Sequence, residues 1–144
     1  MIKLFENISK KELTIVAEYI SELSDKHNVF AFYGDMGAGK TTLIAEIVKK
    51  IIGENFSVTS PTFSLVNVYN GKKTIYHFDC YRIENTAEAL DAGIEDLIYG
   101  KNICLIEWSE KIEDILPKNV VIINIKSGKD DFCRNIEVIL QKNE

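Results

Sequence analysis

The sequence is short of arginine, and this shortage limits the chemistry that it can support. Arg82 and Arg134 are the only arginines among 17 basic residues in a chain of 144, and 22 acidic residues bring the net charge to −5. The acidic balance argues against a stand-alone nucleic-acid-binding protein, which normally carries a basic face. Chemistry that needs several bidentate guanidinium groups is also disfavoured. The composition still allows action on nucleic acid through a partner.

Cysteine and long apolar runs are scarce as well. Cys80, Cys104 and Cys133 are odd in number and form no C-x-x-C pair, which predicts free thiols in a reducing compartment. The longest apolar runs, such as residues 120–123, are far shorter than the roughly 20 residues that cross a bilayer. The first residues show no signal-peptide pattern. We therefore expect a cytoplasmic protein without a membrane segment.

The pattern of apolar residues predicts strands and helices within a single domain over residues 1–144, because no linker or repeat interrupts it. Apolar runs predict strands at residues 2–6, 29–33, 103–106, 120–125 and 132–140. Apolar residues at helical spacing follow a capping box at Ser9 and Glu12 and predict a first helix there. A second helix is predicted over residues 40–52, with Gly53 as its end.

Turn signals complete the expected fold. Asn70-Gly71 predicts a β-hairpin that joins residues 63–69 to residues 72–78, and Gly128 predicts a second hairpin between the last two strands. Asn85 and Glu88 indicate another capping box, opening a short helix that ends near Gly93, and a further short helix is expected near 109–115. The order of elements predicts an α/β fold with a mixed, mainly parallel sheet flanked by helices and extended by β-hairpins.

One motif indicates a nucleotide-phosphate site. Residues 34–41 read GDMGAGKT, which matches G-x-x-x-x-G-K-[ST], the P-loop pattern, in a strand–loop–helix context. Chance matches are expected at about 4 in 10⁵ positions from average residue usage. Glycines let successive backbone N–H groups surround an anion, and the helix directs its positive end at the same place. The predicted nucleotide-binding residues are Gly34, Asp35, Met36, Gly37, Ala38, Gly39, Lys40, Thr41 and Thr42.

Within this motif, Lys40 is expected to reach the β- and γ-phosphates, and the Thr41 hydroxyl is a candidate Mg²⁺ ligand. A P-loop also needs an acidic group at the end of a neighbouring buried strand. Glu107 follows four apolar residues, and Asp79 follows the hairpin strand. The residues alone leave open which of the two acids binds the metal.

Four short stretches together resemble the TsaE (YjeE) family, the small P-loop ATPases of bacterial tRNA threonylcarbamoyladenosine biosynthesis. They are GDMGAGKTT at 34–42, SPTF at 60–63, HFDCYR at 77–82 and IEWSE at 106–110. The P-loop alone is unspecific, whereas the combination is highly specific. The chain departs from the family at Ser109, where a proline is usual, and this change removes a rigid turn but no side-chain chemistry.

The resemblance implies a P-loop NTPase-like fold, an ATP/ADP–Mg²⁺ site and weak ATPase activity. It assigns Glu107 to Mg²⁺ together with Thr41, and it assigns Asp79 to hydrolysis. We count Lys40 with Asp79 as a catalytic residue, because we expect its ammonium group to hold the phosphates. It also implies partnership with the TsaB and TsaD proteins, which transfer a threonylcarbamoyl group to an adenosine next to the anticodon. Contact with tRNA itself is then expected to be indirect.

Several residues near these motifs keep two interpretations. We assign Trp108 to the wall of the nucleotide pocket, with a core or interface anchor as the alternative. Thr62 is either a switch-like ligand or a turn residue. For Arg82 we favour a structural ion pair over a role at the γ-phosphate, and for His77 and Tyr81 we favour packing over direct function.

Two other functions share the P-loop. A small-molecule or nucleotide kinase would need an acceptor pocket and usually several arginines. A nucleotide-gated binding module would need no hydrolysis at all. Because the chain has only two arginines, we expect a slow ATPase that depends on partners for full activity.

Overall fold

Strands and helices alternate along the chain around one sheet. The computed structural model describes residues 1–53 and 65–141. In these stretches the strands are β1 (Ile2–Ser9), β2 (Val29–Tyr33), β3 (Val66–Asn70), β4 (Thr74–Asp79), β5 (Ile103–Glu107), β6 (Val121–Ser127) and β7 (Cys133–Leu140). The α-helices are α1 (Leu13–Leu23), α2 (Lys40–Ile51), α3 (Thr86–Asp91) and α4 (Ile94–Ile98).

The seven described strands form one mixed sheet in the order β1-β7-β6-β2-β5-β4-β3. Its four central strands, β6, β2, β5 and β4, are parallel to one another. The outer pairs β1–β7, β6–β7 and β3–β4 are antiparallel. The predicted α/β class is confirmed: a parallel centre with helices on its faces is extended by hairpins at both edges.

Alternation along the strands sorts their side chains into two cores. One core joins the sheet to α1 and α2, and it contains Phe30, Phe32, Ile75, Leu105, Ile20 and Ile47. The opposite core joins the sheet to α3 and α4, and it contains Ala31, Phe78, Cys104, Ile106, Ala89 and Ile98. Because β2 and β5 are buried on both faces, they read in the sequence as continuous apolar runs.

The helix predictions around the first half of the chain hold closely. Ser9 and Glu12 form the predicted capping box, in which the Ser9 N–H donates to Glu12 Oε1 at 3.0 Å. The box opens a 3₁₀ turn (Lys10–Glu12) that leads into α1. Helix α2 begins at Lys40 and ends at Ile51, and Gly53 just beyond it has φ +128°. This left-handed conformation is the usual reason for glycine after a helix.

Both predicted hairpins are present. β3 and β4 pair with Asn70 opposite Thr74, and β6 and β7 pair with Ser127 opposite Arg134. The Gly128 N–H donates to the Cys133 carbonyl at 2.9 Å and closes the second turn. Phe63, the predicted start of the first hairpin strand, lies outside the described residues.

Two predictions for the second half of the chain need correction. Residues 109–115 form two 3₁₀ turns (Ser109–Lys111 and Glu113–Ile115) rather than one helix, because Ile112 between them has φ −133°, outside the helical range. The second capping box is incomplete. Asn85 Oδ1 accepts from the Glu88 N–H at 3.1 Å, but the Glu88 carboxylate accepts from the N–H of Glu84. Helix α4 was not predicted, and Gly93 separates it from α3 with φ +77°.

None of the helices in the two described stretches combines the length and the apolar character that crossing a bilayer demands.

Candidate functional site

The P-loop connects the end of β2 to the first residue of α2. Gly37 and Gly39 have φ of +82° and +102°, a left-handed conformation that other residues rarely adopt. Gly39 is the last residue before α2, so the loop N–H groups and the positive end of a twelve-residue helix converge at one point. This geometry is suited to binding an anion such as a phosphate group.

The two predicted acids lie beside this loop. Strands β2, β5 and β4 are neighbours, and Glu107 of β5 pairs in register with Phe32 of β2 and with Asp79 of β4. Because the strands are parallel, their carboxyl ends meet at one edge of the sheet, which is where the P-loop begins. The sheet therefore brings together Asp79, Glu107 and the P-loop, as the sequence motifs predict.

Glu107 is the most constrained acid of the site. Its side chain is almost fully buried, and its two carboxylate oxygens have different partners. Oε1 accepts a hydrogen bond from the Thr41 hydroxyl at 2.8 Å, and Oε2 lies 2.6 Å from His77 Nε2. The two residues predicted to bind the metal, Thr41 and Glu107, are thus in direct contact.

The donor set at this contact is appropriate for Mg²⁺. A hydroxyl and a carboxylate supply hard oxygen ligands, and Mg²⁺ typically takes one or two such protein ligands with phosphate oxygens and waters. Among residues 1–53 and 65–141, no group of three or more His, Cys, Asp or Glu side chains is arranged to hold a metal ion. The Thr41–Glu107 pair supplies two oxygen atoms of the kind that Mg²⁺ binds.

Lys40 is held by two contacts next to these acids. Its ammonium group donates to the Gly34 carbonyl and lies 3.5 Å from the centroid of the Trp108 ring. Burial lowers the pKa of Lys40 from its ordinary value, and the carboxylates of Glu110, Glu107, Asp79 and Asp35 oppose this shift. The position of the only lysine in the P-loop is thus set by one carbonyl and one aromatic face.

Asp79 has the electrostatic environment of a candidate base. Burial raises the pKa of its carboxyl above the ordinary value, and the negative charge of Glu107 adds to the increase. The Tyr81 N–H, which donates to Asp79 Oδ1 at 3.0 Å, opposes the shift, as do His77 and Lys40. A carboxylate with a raised pKa accepts a proton more readily than a free aspartate.

These groups line one cavity of about 400 Å³. Its walls are Met36, Gly37, Gly39, Lys40, Thr41, Thr42, Asp79, Tyr81, Glu107 and Trp108. The other predicted P-loop residues, Gly34, Asp35 and Ala38, line the adjoining cavity on the β6 side of the loop. Every predicted catalytic, nucleotide-binding and metal-binding residue therefore lies in or next to this region.

Trp108 forms a wall of the cavity, which is the first of its two interpretations. It follows β5 with φ +57°, and Asn7 is the only other non-glycine residue with positive φ in the described stretches. Such a conformation costs on the order of 1–3 kcal/mol and is retained mostly at functional sites. The ring of Tyr81 packs on it with centroids 5.0 Å apart. Tyr81, for which packing was favoured, thus also borders the cavity.

Two residues contribute contacts that the sequence patterns did not identify. His77, interpreted as a packing residue, contacts Glu107 directly. Arg134 donates from Nε to the carbonyl of Ala38 in the P-loop at 2.9 Å. Strand alternation could have placed His77 on the same face as Asp79, two residues later. No local signal marks Arg134. Thr62 lies outside the described residues, and Arg82 is exposed and does not line the cavity.

Comparison with known proteins identifies the family. The model of the TsaE family, described as "Threonylcarbamoyl adenosine biosynthesis protein TsaE", matches residues 8–136. A tRNA threonylcarbamoyladenosine biosynthesis protein TsaE from Haemophilus influenzae is 43% identical over 129 residues, covering 88% of this chain and 80% of the relative. The protein of the same name from Bacillus subtilis is 34% identical over 128 residues, covering 88% of this chain and 79% of the relative.

Comparison with solved structures agrees. The crystal structure of YdiB from Bacillus subtilis superimposes with a TM-score of 0.76 at 27% sequence identity. The match covers 99% of this chain and 88% of that chain. The fold described above is thus shared with a solved protein, over nearly the whole of this chain and most of that one.

Proposed function

Because the chain belongs to the TsaE family of threonylcarbamoyladenosine biosynthesis proteins, we propose that it binds ATP with Mg²⁺ and hydrolyses it slowly. We further propose that it does so with the TsaB and TsaD proteins, in support of threonylcarbamoyl transfer to an adenosine of tRNA. The observation that carries the proposal is the 2.8 Å contact between the P-loop hydroxyl of Thr41 and the carboxylate of Glu107. That contact brings a hydroxyl and a carboxylate together beside the P-loop, which supports the proposal of a cation site there.

The protein's own groups have distinct tasks in this proposal. The loop N–H groups and the N-terminus of α2 hold the phosphates, and Lys40 exchanges its Gly34 and Trp108 contacts for phosphate oxygens. Thr41 and Glu107 hold Mg²⁺, which when bound neutralises charge on the phosphates. Asp79 orients the attacking water and accepts its proton, a task that its raised pKa supports.

The lack of an arginine among the described residues of the cavity supports the proposal that ATP is hydrolysed slowly. No arginine lies among the described residues that line the 400 Å³ cavity. Arg134 is engaged with the Ala38 carbonyl and with the carbonyls of Asp131 and Cys133. An arginine that contacts the transferred phosphoryl group is worth about 10³–10⁵ in rate in related enzymes. We propose that TsaB and TsaD supply missing order or charge to the site.

The proposed location is the cytoplasm, where tRNA is modified. The three cysteines are free thiols, as a reducing compartment requires. Burial raises the pKa of Cys80 and Cys104 to about 12, which keeps both thiols protonated and unreactive.

The biochemical test measures binding and phosphate release with purified protein. Wild type should bind ADP more tightly with Mg²⁺ than in EDTA and should release free phosphate from ATP, faster when TsaB and TsaD are added. Glu107→Gln should lose the Mg²⁺ enhancement, and Asp79→Asn should lose turnover while it retains binding. Asp114→Asn, which changes an exposed acid away from the cavity, is the control. Phosphate recovered on an acceptor molecule would instead indicate a kinase.

The cellular test asks whether hydrolysis is needed. Deletion of the gene should deplete threonylcarbamoyladenosine from bulk tRNA, as measured by nucleoside analysis, and the wild-type gene should restore it. Unchanged modified nucleoside after deletion would contradict the proposed function. Full restoration by Asp79→Asn would show that nucleotide binding without hydrolysis suffices.

A further inference from the structure

We propose that His77 is a positioning residue for the Mg²⁺ ligand Glu107. The proposal rests on the proposed function and deepens it, because it names a residue that orients the metal-binding carboxylate without touching nucleotide or cation. It follows from a buried hydrogen bond between neighbouring strands.

The imidazole ring of His77 contacts the carboxylate oxygen of Glu107 that does not face Thr41. His77 lies on β4, two residues before Asp79, so both side chains project from the same face of the sheet. Its side chain is fully buried, and Nε2 lies 2.6 Å from Glu107 Oε2. An ionised carboxylate can only accept hydrogen bonds, so the Nε2–H of His77 is the donor.

This bond divides the two oxygens of Glu107 between two tasks. Oε2 is occupied by His77, and Oε1 faces the Thr41 hydroxyl at 2.8 Å. Two hydrogen bonds at opposite oxygens define the plane of the carboxylate, whereas one would leave it free to rotate. The oxygen next to the P-loop is therefore already turned towards the position where a cation would sit between Thr41 and Glu107.

The other side of the imidazole ring has weaker support. Nδ1 of His77 lies 3.4 Å from the Tyr69 hydroxyl on β3, and Tyr69 in turn lies 3.4 Å from Nδ2 of Asn67. These distances exceed the usual range for strong hydrogen bonds. The Tyr69 ring stacks on the imidazole, with centroids 6.2 Å apart and planes at 25°. The ring orientation is thus fixed by stacking and by the short bond to Glu107.

A purely structural role would make a different prediction. If His77 only fills space and satisfies a buried carboxylate, its loss should lower stability without a specific effect on the cation. If it positions Glu107, its loss should weaken Mg²⁺ binding and leave Mg²⁺-free nucleotide binding unchanged. Polar groups that orient metal ligands typically change metal affinity by about 10–100-fold when they are removed.

The experiment measures ADP binding by calorimetry in EDTA and during a Mg²⁺ titration. His77→Leu should raise the Mg²⁺ concentration for half-maximal enhancement by about 10–100-fold, with ADP affinity in EDTA changed less than about twofold. His77→Gln should restore most of the wild-type Mg²⁺ requirement, because its amide N–H can donate to Glu107. The matched control is His27→Gln, which changes the other histidine of the chain, located just after the end of α1.

Each outcome decides the proposal. An unchanged Mg²⁺ requirement in folded His77→Leu, or an equal loss of affinity with and without Mg²⁺, overturns it. If His77→Leu does not fold, His77→Gln and His77→Asn are compared, since the shorter Asn side chain cannot reach Glu107; equal Mg²⁺ requirements would then overturn it. Wild-type protein that shows no Mg²⁺ enhancement, or Glu107→Gln that retains it, would instead contradict the proposed function.

Discussion

The first glycine of the P-loop, a predicted nucleotide-binding residue, is also expected to serve packing against β6. A Cβ atom built on Gly34 would lie 2.9 Å from the Ile125 carbonyl oxygen of β6 and 3.1 Å from the Ala38 Cβ. The first distance is shorter than any that a real Cβ tolerates, and the contacted atom is backbone, so a strand or the loop must move. Gly37 and Gly39 differ, because a Cβ there meets nothing and only their positive φ demands glycine.

We therefore predict that Gly34→Ala destabilises the nucleotide-free protein. Overpacking against a fixed backbone costs about 1–3 kcal/mol. For a chain of about this size each kcal/mol corresponds to about 2–4 °C in Tm, so the expected decrease relative to a Gly→Ala change without overpacking is about 2–12 °C. Any Gly→Ala change also lowers the chain entropy of the unfolded state. This effect stabilises the protein by about 0.4–1 kcal/mol and therefore opposes the cost of overpacking.

A matched control removes that opposing effect. Gly100 has no positive φ, and a Cβ there would lie 3.4 Å from the Leu97 carbonyl oxygen and 3.5 Å from that of Asp96, which are ordinary contacts. Gly100→Ala should therefore be as stable as wild type or slightly more stable. Thermal and urea unfolding followed by circular dichroism measure both variants. Equal stability of Gly34→Ala and Gly100→Ala would refute the packing argument.

Three further predictions concern the cavity and the P-loop beside it. Burial raises the pKa of Asp79, so the folded state binds the carboxyl proton more tightly than the unfolded state does. Above that pKa the ionised carboxylate therefore destabilises the fold. Asp79→Asn should raise the Tm at pH 8, and thermal melts at progressively lower pH should show a smaller gain. Trp108 is the only tryptophan, so it accounts for the tryptophan fluorescence of the protein. That emission should change saturably during an ADP titration, because ADP draws the Lys40 ammonium away from the Trp108 ring. Constant emission during binding would contradict the cation–π contact. Arg134→Lys should weaken ADP binding about fivefold in calorimetry. This factor corresponds to the loss of one hydrogen bond to the Ala38 carbonyl, which contributes about 1 kcal/mol. Unchanged affinity would show that this bond does not support the loop.

Local patterns predicted the parts of the site that lie close together in the chain. The P-loop was predictable because a buried strand, a glycine-rich loop and an amphipathic helix follow one another within residues 29–52. Glu107 and Asp79 were predictable as candidates because each ends an apolar strand. The family resemblance assigned their separate roles, and the structure adds their contacts.

The contacts that were missed depend on strand register. His77 meets Glu107 across 30 residues of sequence, and Arg134 meets Ala38 across 96. Neither distance follows from local spacing, because β4 pairs with β5 and β7 folds back on β6 only in the assembled sheet. The two 3₁₀ turns after Trp108 were not predicted either, because no sequence pattern marks the non-helical conformation of Ile112 that separates them.

The charges of the cavity favour the proposal that a cation and a nucleotide bind together. Asp79 and Glu107 stand beside the P-loop, and Lys40 is the only basic residue that lines the cavity in the described stretches. Lys40 is also engaged with the Gly34 carbonyl, which competes with phosphate oxygens for the same ammonium protons. Polyphosphate alone would bring further negative charge to two carboxylates, whereas a divalent cation held at Thr41 and Glu107 turns that repulsion into attraction.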